Sequence, residues 1–293
     1  MTATPLRRPS LYDRVAEEAS GVVIHRYSTS FGMASRLLAP RVRHHIENIY
    51  ALVRLADEIV DGQAAAAGLT VAETRHELDG LERETEFAME RGYSPNLIVH
   101  AFGATARETG FDRTLTAPFF ESMRADLSAT RHTDASFERY VYGSAQVVGL
   151  MCLCAFLEDV PTTPSEREQL ENGARALGAA FQKVNFLRDL AADFRELGRS
   201  YFPGINPDSF TEADKIRLLD DIDTDLRVSA QVVRKLPASS RRAVALAQSL
   251  FTQLAARLRA TPAAALVTTR VRVPAPVKLR LAAAAAAGRM PRS

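Results

Sequence analysis

From Leu11 onward, apolar side chains recur at intervals of three and four, and strand-like alternation is rare. That period is helical, so the chain must bury one stripe after another against neighbouring helices. Proline and glycine punctuate the pattern at Pro40, 62–68, 92–95, 110–118, 130–135, 161–164, 203–207 and Pro237. Eight or more helices fit between these breaks, with no convincing sheet. No internal repeat of solenoid length is present, and no break is long or polar enough to act as a domain linker. The expectation is a single all-α domain over residues 1–293, with a loose N-terminus at 1–10. The tail at 261–293 reads differently from the rest. Residues 267–273 alternate and predict an extended segment. The alanine run at 281–288 is a last helix or a frayed end, and a weak contact with a membrane surface there is left open. Ser165-Glu-Arg-Glu168 predicts a capping-box start after Pro164, and Thr211-Glu-Ala-Asp214 a second, weaker one.

Composition narrows the function classes. With 46% hydrophobic residues the chain can bury a large core, and a net charge of +2 with scattered basic residues argues against a nucleic-acid partner. Cys152 and Cys154 are two apart in an apolar run, which suits neither a disulfide nor a zinc site and predicts two small core residues. No signal-peptide core and no apolar stretch of about 18 residues is visible, so a cytoplasmic protein is the expectation.

Two stretches resist burial as ordinary helix. Gln182, Asn185, Asp189 and Asp193 fall at three- and four-residue spacing, which puts two amides and two carboxylates on one stripe. The flanks Val184, Phe186, Leu187 and Leu190 are apolar, so the stripe is not a plain solvated face. Tyr50, Arg54, Asp57 and Asp61 repeat the arrangement at four, three and four. Like charges one turn apart repel, and carboxylates among packed apolar side chains are costly unless a cation lies between them. Two such helices face to face would make a pocket of four carboxylates. Oxygen ligands without His or Cys favour Mg²⁺ or Mn²⁺, which keeps waters and bridges to substrate phosphates. Arg54, Arg188 and Arg199 would serve that phosphate as planar forks. Two further stretches have both a ligand-binding and a structural reading. Residues 27–31 (Tyr-Ser-Thr-Ser-Phe) cluster hydroxyls before a helix, as an anion site or as an N-cap. Residues 140–152 place Gly143, Ala145 and Gly149 in an apolar helical run, where either a long apolar ligand or another helix can approach closely.

These motifs together resemble the squalene/phytoene synthase family of head-to-head prenyl synthases, over about residues 27–278. The family signature of Gly, Gln, Asn, Arg-Asp, a further acid and Arg-x-Tyr/Phe-x-Pro is matched by Gly178, Gln182, Asn185, Arg188, Asp189, Asp193, Arg199, Tyr201 and Pro203. Tyr50, Arg54, Asp57 and Asp61 match its first acidic motif, Ser28, Ser30 and Phe31 its Ser-x-Ser/Thr-Phe stretch, and Tyr140, Ala145 and Gly149 its small-residue motif. Three positions depart from the pattern: Tyr27 stands where some members have His, Gln146 where a small residue is usual, and Phe251 where relatives often have Tyr. Arg270, Arg272 and Lys278 resemble the family's basic tail.

The resemblance implies an isoprenoid-synthase helical bundle around a deep central cavity. Asp57 and Asp61 would hold Mg²⁺ or Mn²⁺ at one diphosphate, and Asp189 and Asp193 at the other. Ser28, Ser30, Arg54, Gln182, Asn185 and Arg188 would orient phosphate oxygens. Phe31, Arg199 and Tyr201 would bind substrate, and Tyr50 and Tyr201 would contact diphosphate or assist the last proton loss. Prenyl diphosphates are the expected partners. The expected reaction joins two geranylgeranyl diphosphates through a cyclopropyl intermediate to phytoene, without NADPH. The alternatives are a squalene or dehydrosqualene synthase using farnesyl diphosphate, or a non-catalytic relative. Such a relative would be expected to have lost metal ligands that here are all present.

Overall fold

Helix starts in this chain follow capping chemistry. The computed structural model describes residues 9–128 and 131–291, the side chains of 193 and 195–197 excepted. In order the helices are α1 (Leu11–Tyr27), α2 (Thr29–Ser35), α3 (Pro40–Val60), α4 (Gln63–Ala66), α5 (Val71–Arg91), α6 (Leu97–Thr109), α7 (Arg113–Asp126), α8 (Asp134–Val141), α9 (Val147–Phe156), α10 (Pro164–Leu197), α11 (Glu212–Val233), α12 (Ala238–Ala260), α13 (Ala263–Leu266) and α14 (Ala275–Ala286). Ser10, Thr70 and Thr211 each accept from the N3 amide while the N3 carboxylate accepts from the cap residue's amide. The box at the head of α10 is Thr163 with Glu166, not Ser165 with Glu168. Pro164 can occupy the first helical position because its missing N–H is not needed there, and this moves the start two residues earlier than expected. Pro118, expected to mark a break, lies inside α7.

Among the described residues there is no strand, only an isolated bridge between Arg131 and Ser200. The all-α fold is therefore as the periodicity predicts. No helix among these residues is long and apolar enough to cross a membrane. Residues 269–274 belong to neither helix nor strand, with Val271 and Val273 buried between exposed Arg270 and Arg272, and the alanine run forms α14. Leu281, Ala282 and Ala285 of α14 pack on Ala34, Leu246 and Leu250.

Two packed clusters flank the middle of the molecule. One is built on α10, α11 and α12 with Phe186, Leu187, Leu219, Ile222 and Leu258, and the other on α3, α5, α6, α7 and α9 with Leu52, Leu78, Phe102, Phe120 and Met151. Lys215 of α11 is buried to 1% and donates from Nζ to the carbonyls of Arg259 (3.1 Å) and Thr261 (2.7 Å), where α12 ends. Substitution Lys215→Met would strip two partly buried carbonyls of their donor and Glu212 of its ion-pair partner. It is expected to cost about 2 kcal/mol, read as a lower urea midpoint at an unchanged slope.

Between the clusters, residues 142–146 form a π-helical turn joining α8 to α9. It brings Gly143 against α7 and Ala145 against Gly178 of α10. This close crossing fixes α10 beside the central cavity. Small residues in this stretch thus serve helix packing, and Ala145, Val148 and Gly149 also line the cavity.

Candidate active site

The two polar stripes meet. A cavity of about 760 Å³ runs between α2, α3, α9, α10, α11 and α12, and it is mostly apolar. Its inner wall includes Val148, Phe181, Leu250 and Phe251. At one end it shares Arg54, Asp57, Gln182, Asn185 and Arg188 with a second, polar cavity of about 250 Å³. Asp57, Asp61, Asp126 and Asp189 line this polar chamber together with Tyr140 and Tyr201. Helical period explains the division: Tyr50 faces the apolar cavity, Arg54 and Asp57 the junction, and Asp61, one turn on, the polar chamber.

Asp57 keeps some surface toward the cavity but is surrounded by protein. Burial, then the charge of Asp61, holds its carboxyl well above the usual carboxylate range. Such a pair is stabilised by a cation. The donor set, carboxylates with no His or Cys, fits a hard divalent ion. Asp57 and Asp61 present oxygens from α3, and Asp189 from α10. These oxygens do not converge on one point. The His/Cys/Asp/Glu group whose ligand atoms all lie within 4.8 Å is elsewhere among the described residues, at His45, Glu108 and Glu158. Arg41 already neutralises that group. The open spacing in the polar chamber leaves room for waters and substrate oxygens in the coordination shell. The side chain of Asp193 lies outside the described residues.

The cationic side of the site is partly engaged. Arg188 is bidentate to Asp189, and Arg270 from the segment between α13 and α14 reaches the same carboxylate at 2.8 and 3.1 Å. Arg54 pairs with Glu58 and lies over the Tyr27 ring at 4.5 Å, yet its buried Nε has no acceptor among the described residues. A phosphate oxygen at the cavity junction would supply that acceptor. Gln182 donates to Ser144 Oγ at 3.3 Å. Ser28 is the N-cap of α2, accepting from Phe31 N at 3.0 Å, and its hydroxyl also meets Tyr50, whose phenol is pushed up mainly by burial. Ser28 and Ser30 both line the large cavity, and Lys278 reaches Thr29 Oγ1 at 2.9 Å beside them. Phe31 stacks on Phe251 at 5.7 Å, and Phe251 on Phe181 at 3.8 Å. The position where relatives often carry a phenol is thus an apolar cavity wall here. Cys152 also lines this cavity, and both half-buried cysteines pack against the core cluster built on α3, α5, α6, α7 and α9, as expected of small core residues.

Arg199 departs from its expected place. It lines neither cavity and is 7% exposed. It donates to Asp61 Oδ1 (2.9 Å), to the Tyr201 hydroxyl (3.2 Å) and to the carbonyls of Val60 (3.2 Å) and Asp126 (2.8 Å). Both its terminal nitrogens are committed to the protein, so it braces the polar chamber instead of presenting a fork to phosphate.

Sequence reasoning did not find Asp126. It has no acidic neighbour at helical spacing, and only the fold brings it to the chamber. Its carboxylate accepts from the Tyr140 hydroxyl (2.9 and 2.8 Å) and the Tyr201 hydroxyl (3.3 Å). Burial pushes its carboxyl up to about 7, against the opposing pull of Arg199 and Tyr140.

The family model for squalene/phytoene synthase matches residues 24–277, nearly the whole described fold. The chain belongs to the squalene/phytoene synthase family. Among curated relatives, it is 32% identical over 193 residues to phytoene synthase 1 of Solanum lycopersicum, covering 66% of this chain and 44% of that one. It is also 32% identical over 181 residues to 15-cis-phytoene synthase of Paracoccus sp., covering 60% and 56%. The matches thus span about half the length of these relatives. Among solved structures, a dehydrosqualene synthase in complex with ligand superposes with a TM-score of 0.78 at 20% identity, over 96% of this chain and 98% of that one. A squalene synthase of Alicyclobacillus acidocaldarius gives 0.71 at 18% identity, over 86% and 95%. These place the all-α fold with that of dehydrosqualene and squalene synthases.

Proposed function

We propose that the chain is a phytoene synthase, joining two geranylgeranyl diphosphates head to head and releasing two diphosphates. The observation that carries this reading is the apolar cavity of about 760 Å³ opening onto a chamber lined by carboxylates and Arg54. A substrate with a long apolar tail and a diphosphate head fits that division. The C1–O bond of one substrate breaks and its electron pair leaves on the diphosphate. The C2–C3 double bond of the second substrate attacks C1, and loss of a proton closes a cyclopropyl diphosphate. A second ionisation, rearrangement and final proton loss give the hydrocarbon. Mg²⁺, when bound, supplies positive charge that makes diphosphate a better leaving group. Asp57 and Asp61 on one side, and Asp189 with Asp193 on the other, would hold it. Arg54 and Arg188 orient phosphate oxygens at the junction, and Phe31, Phe181 and Phe251 help keep water from the cation.

The C20 substrate is favoured over C15 by the likeness to phytoene synthases at 32% identity. The solved neighbours that act as squalene or dehydrosqualene synthases support the alternative of farnesyl diphosphate. Product analysis decides between them. With Mg²⁺, the C20 diphosphate is expected to give phytoene with or without NADPH, and the C15 diphosphate much less product. Squalene or dehydrosqualene as the main product would replace the C20 reading. No turnover of either chain would point to a non-catalytic relative.

A further inference from the structure

Asp126 stands on α7, outside both acidic stripes, and is 8% exposed. It is bound to both phenols of the polar chamber. Tyr140 donates to it almost symmetrically, and Tyr201 donates to one of its oxygens. The two rings are 5.4 Å apart, and Phe186 stacks on Tyr201 at 4.0 Å and lies 5.9 Å from Tyr140. Arg199 ties this group to Asp61. Tyr140, Tyr201 and Phe186 all line the chamber that holds Asp57 and Asp189. They therefore form an aromatic wall beside the carboxylates, and one buried carboxylate is bonded to both phenols in it.

We propose that Asp126 is a positioning residue for carbocation chemistry, acting through Tyr140. The face of an aromatic ring attracts cations. A phenol whose O–H is given to a carboxylate carries more electron density in its ring than one hydrogen-bonded to a neutral acceptor. Tyr201 is stacked between Phe186 (4.0 Å) and His132 (6.0 Å), so it holds the carboxylate in place, and Asp126 acts on the positive charge at the ionising C1 through the ring of Tyr140, which it orients and polarises. Asp61 and Asp189 deal with the leaving diphosphate, while the Asp126 wall deals with the cation left behind. The proposal rests on the prenyl diphosphate reading for its substrate, but the hydrogen-bonded wall can be measured without turnover.

The chain has seven tyrosines and no tryptophan, so ultraviolet difference spectra read its phenols directly. Asp126→Asn should give a tyrosine difference spectrum in the full-length protein, and that signal should shrink in a Tyr140→Phe background. The wall should be perturbed while Mn²⁺ binding, followed by electron paramagnetic resonance, stays within about threefold. In turnover, Asp126→Asn and Tyr140→Phe should each lower kcat ~100-fold with KM within about threefold. The double variant should be no worse than about threefold below either single one, because both changes remove the same interaction. Asp126→Glu, which keeps the charge, should recover part of the loss. Additive losses, or a tyrosine spectrum unchanged by Asp126→Asn, would overturn the proposal. If the wild type turns over neither prenyl diphosphate while the spectral result holds, the functional reading fails, and with it the carbocation role. The Asp126 wall then stands only as structure.

Discussion

Asp57→Asn is expected to lower product formation at least ~1000-fold and, without divalent metal, to make the protein more stable. On the proposed reading, the activity loss follows from removing a charge that the leaving diphosphate and its counterion need. The gain in stability follows from the environment of the carboxyl. Burial and Asp61 raise its folded pKa above the unfolded value. The folded state therefore binds more protons than the unfolded chain once the pH exceeds the ordinary carboxylate range. The stability contributed by the protonated form is complete below that range and is lost as the pH rises toward the folded pKa. Asparagine keeps the shape and removes this loss. At pH 7 in EDTA the variant should melt several degrees above the wild type, and at pH 4 the difference should shrink. Mg²⁺ should raise the wild-type Tm more than that of the variant, since binding to the folded state stabilises by mass action. Undiminished turnover, or a variant that melts lower in EDTA, would contradict the assignment of Asp57.

What the sequence discloses here depends on whether the information is periodic. Asp57, Asp61 and Asp189 were legible because helix spacing alone puts them on faces shared with Arg54, Gln182 and Asn185, and the structure brings those faces to one chamber. The alternation near residue 270 reappears as alternating burial, with Val271 and Val273 inside and Arg270 and Arg272 outside. Direction across the fold is a different matter. The Arg-x-Tyr-x-Pro motif names Arg199, but it does not show that its guanidinium turns back to Asp61 and two carbonyls. Asp126 has no local signature at all, since its partners Tyr140 and Tyr201 are 14 and 75 residues away. Of the two readings of residues 27–31, the N-cap is the one the structure shows. Ser28 caps α2 and lines the cavity, because a capped helix start is itself part of the cavity wall. Phe251 shows the limit of motif matching from the other side. Its place in the sequence suggests a lost hydroxyl, whereas its stacking on Phe181 and Phe31 makes it a continuous piece of apolar lining.

Gly178→Ala should unfold the protein at a markedly lower urea concentration, with a cost of about 2–3 kcal/mol, and should also reduce turnover. A Cβ on Gly178 would lie 2.5 Å from the carbonyl oxygen of Ala145 and 3.0 Å from its carbon. Both are backbone atoms of the π-helical turn, so no side chain can swing aside to accept the methyl group. The same crossing recurs one contact away, where a Cβ on Gly149 would lie 2.5 Å from the carbonyl oxygen of Ala174. Relief requires α10 to move away from the 142–149 segment, and α10 carries the polar stripe of Gln182, Asn185 and Asp189 that lines the chamber. Gln182, one turn beyond Gly178, would be drawn from Ser144, to which it now donates at 3.3 Å. Asn185 and Asp189 would shift with it, so the loss in kcat should exceed what the unfolded fraction explains. Gly80→Ala supplies the contrast within the same chain. Gly80 lies inside α5, and its Cβ would meet nothing closer than the end of Arg83 at 3.9 Å. There the substitution should stabilise by about 0.5–1 kcal/mol through helix propensity and leave turnover unchanged. If both variants shifted the midpoint alike, the Gly178 effect would be one of propensity, and the close approach of α10 to the 142–149 segment would not be what fixes the polar stripe.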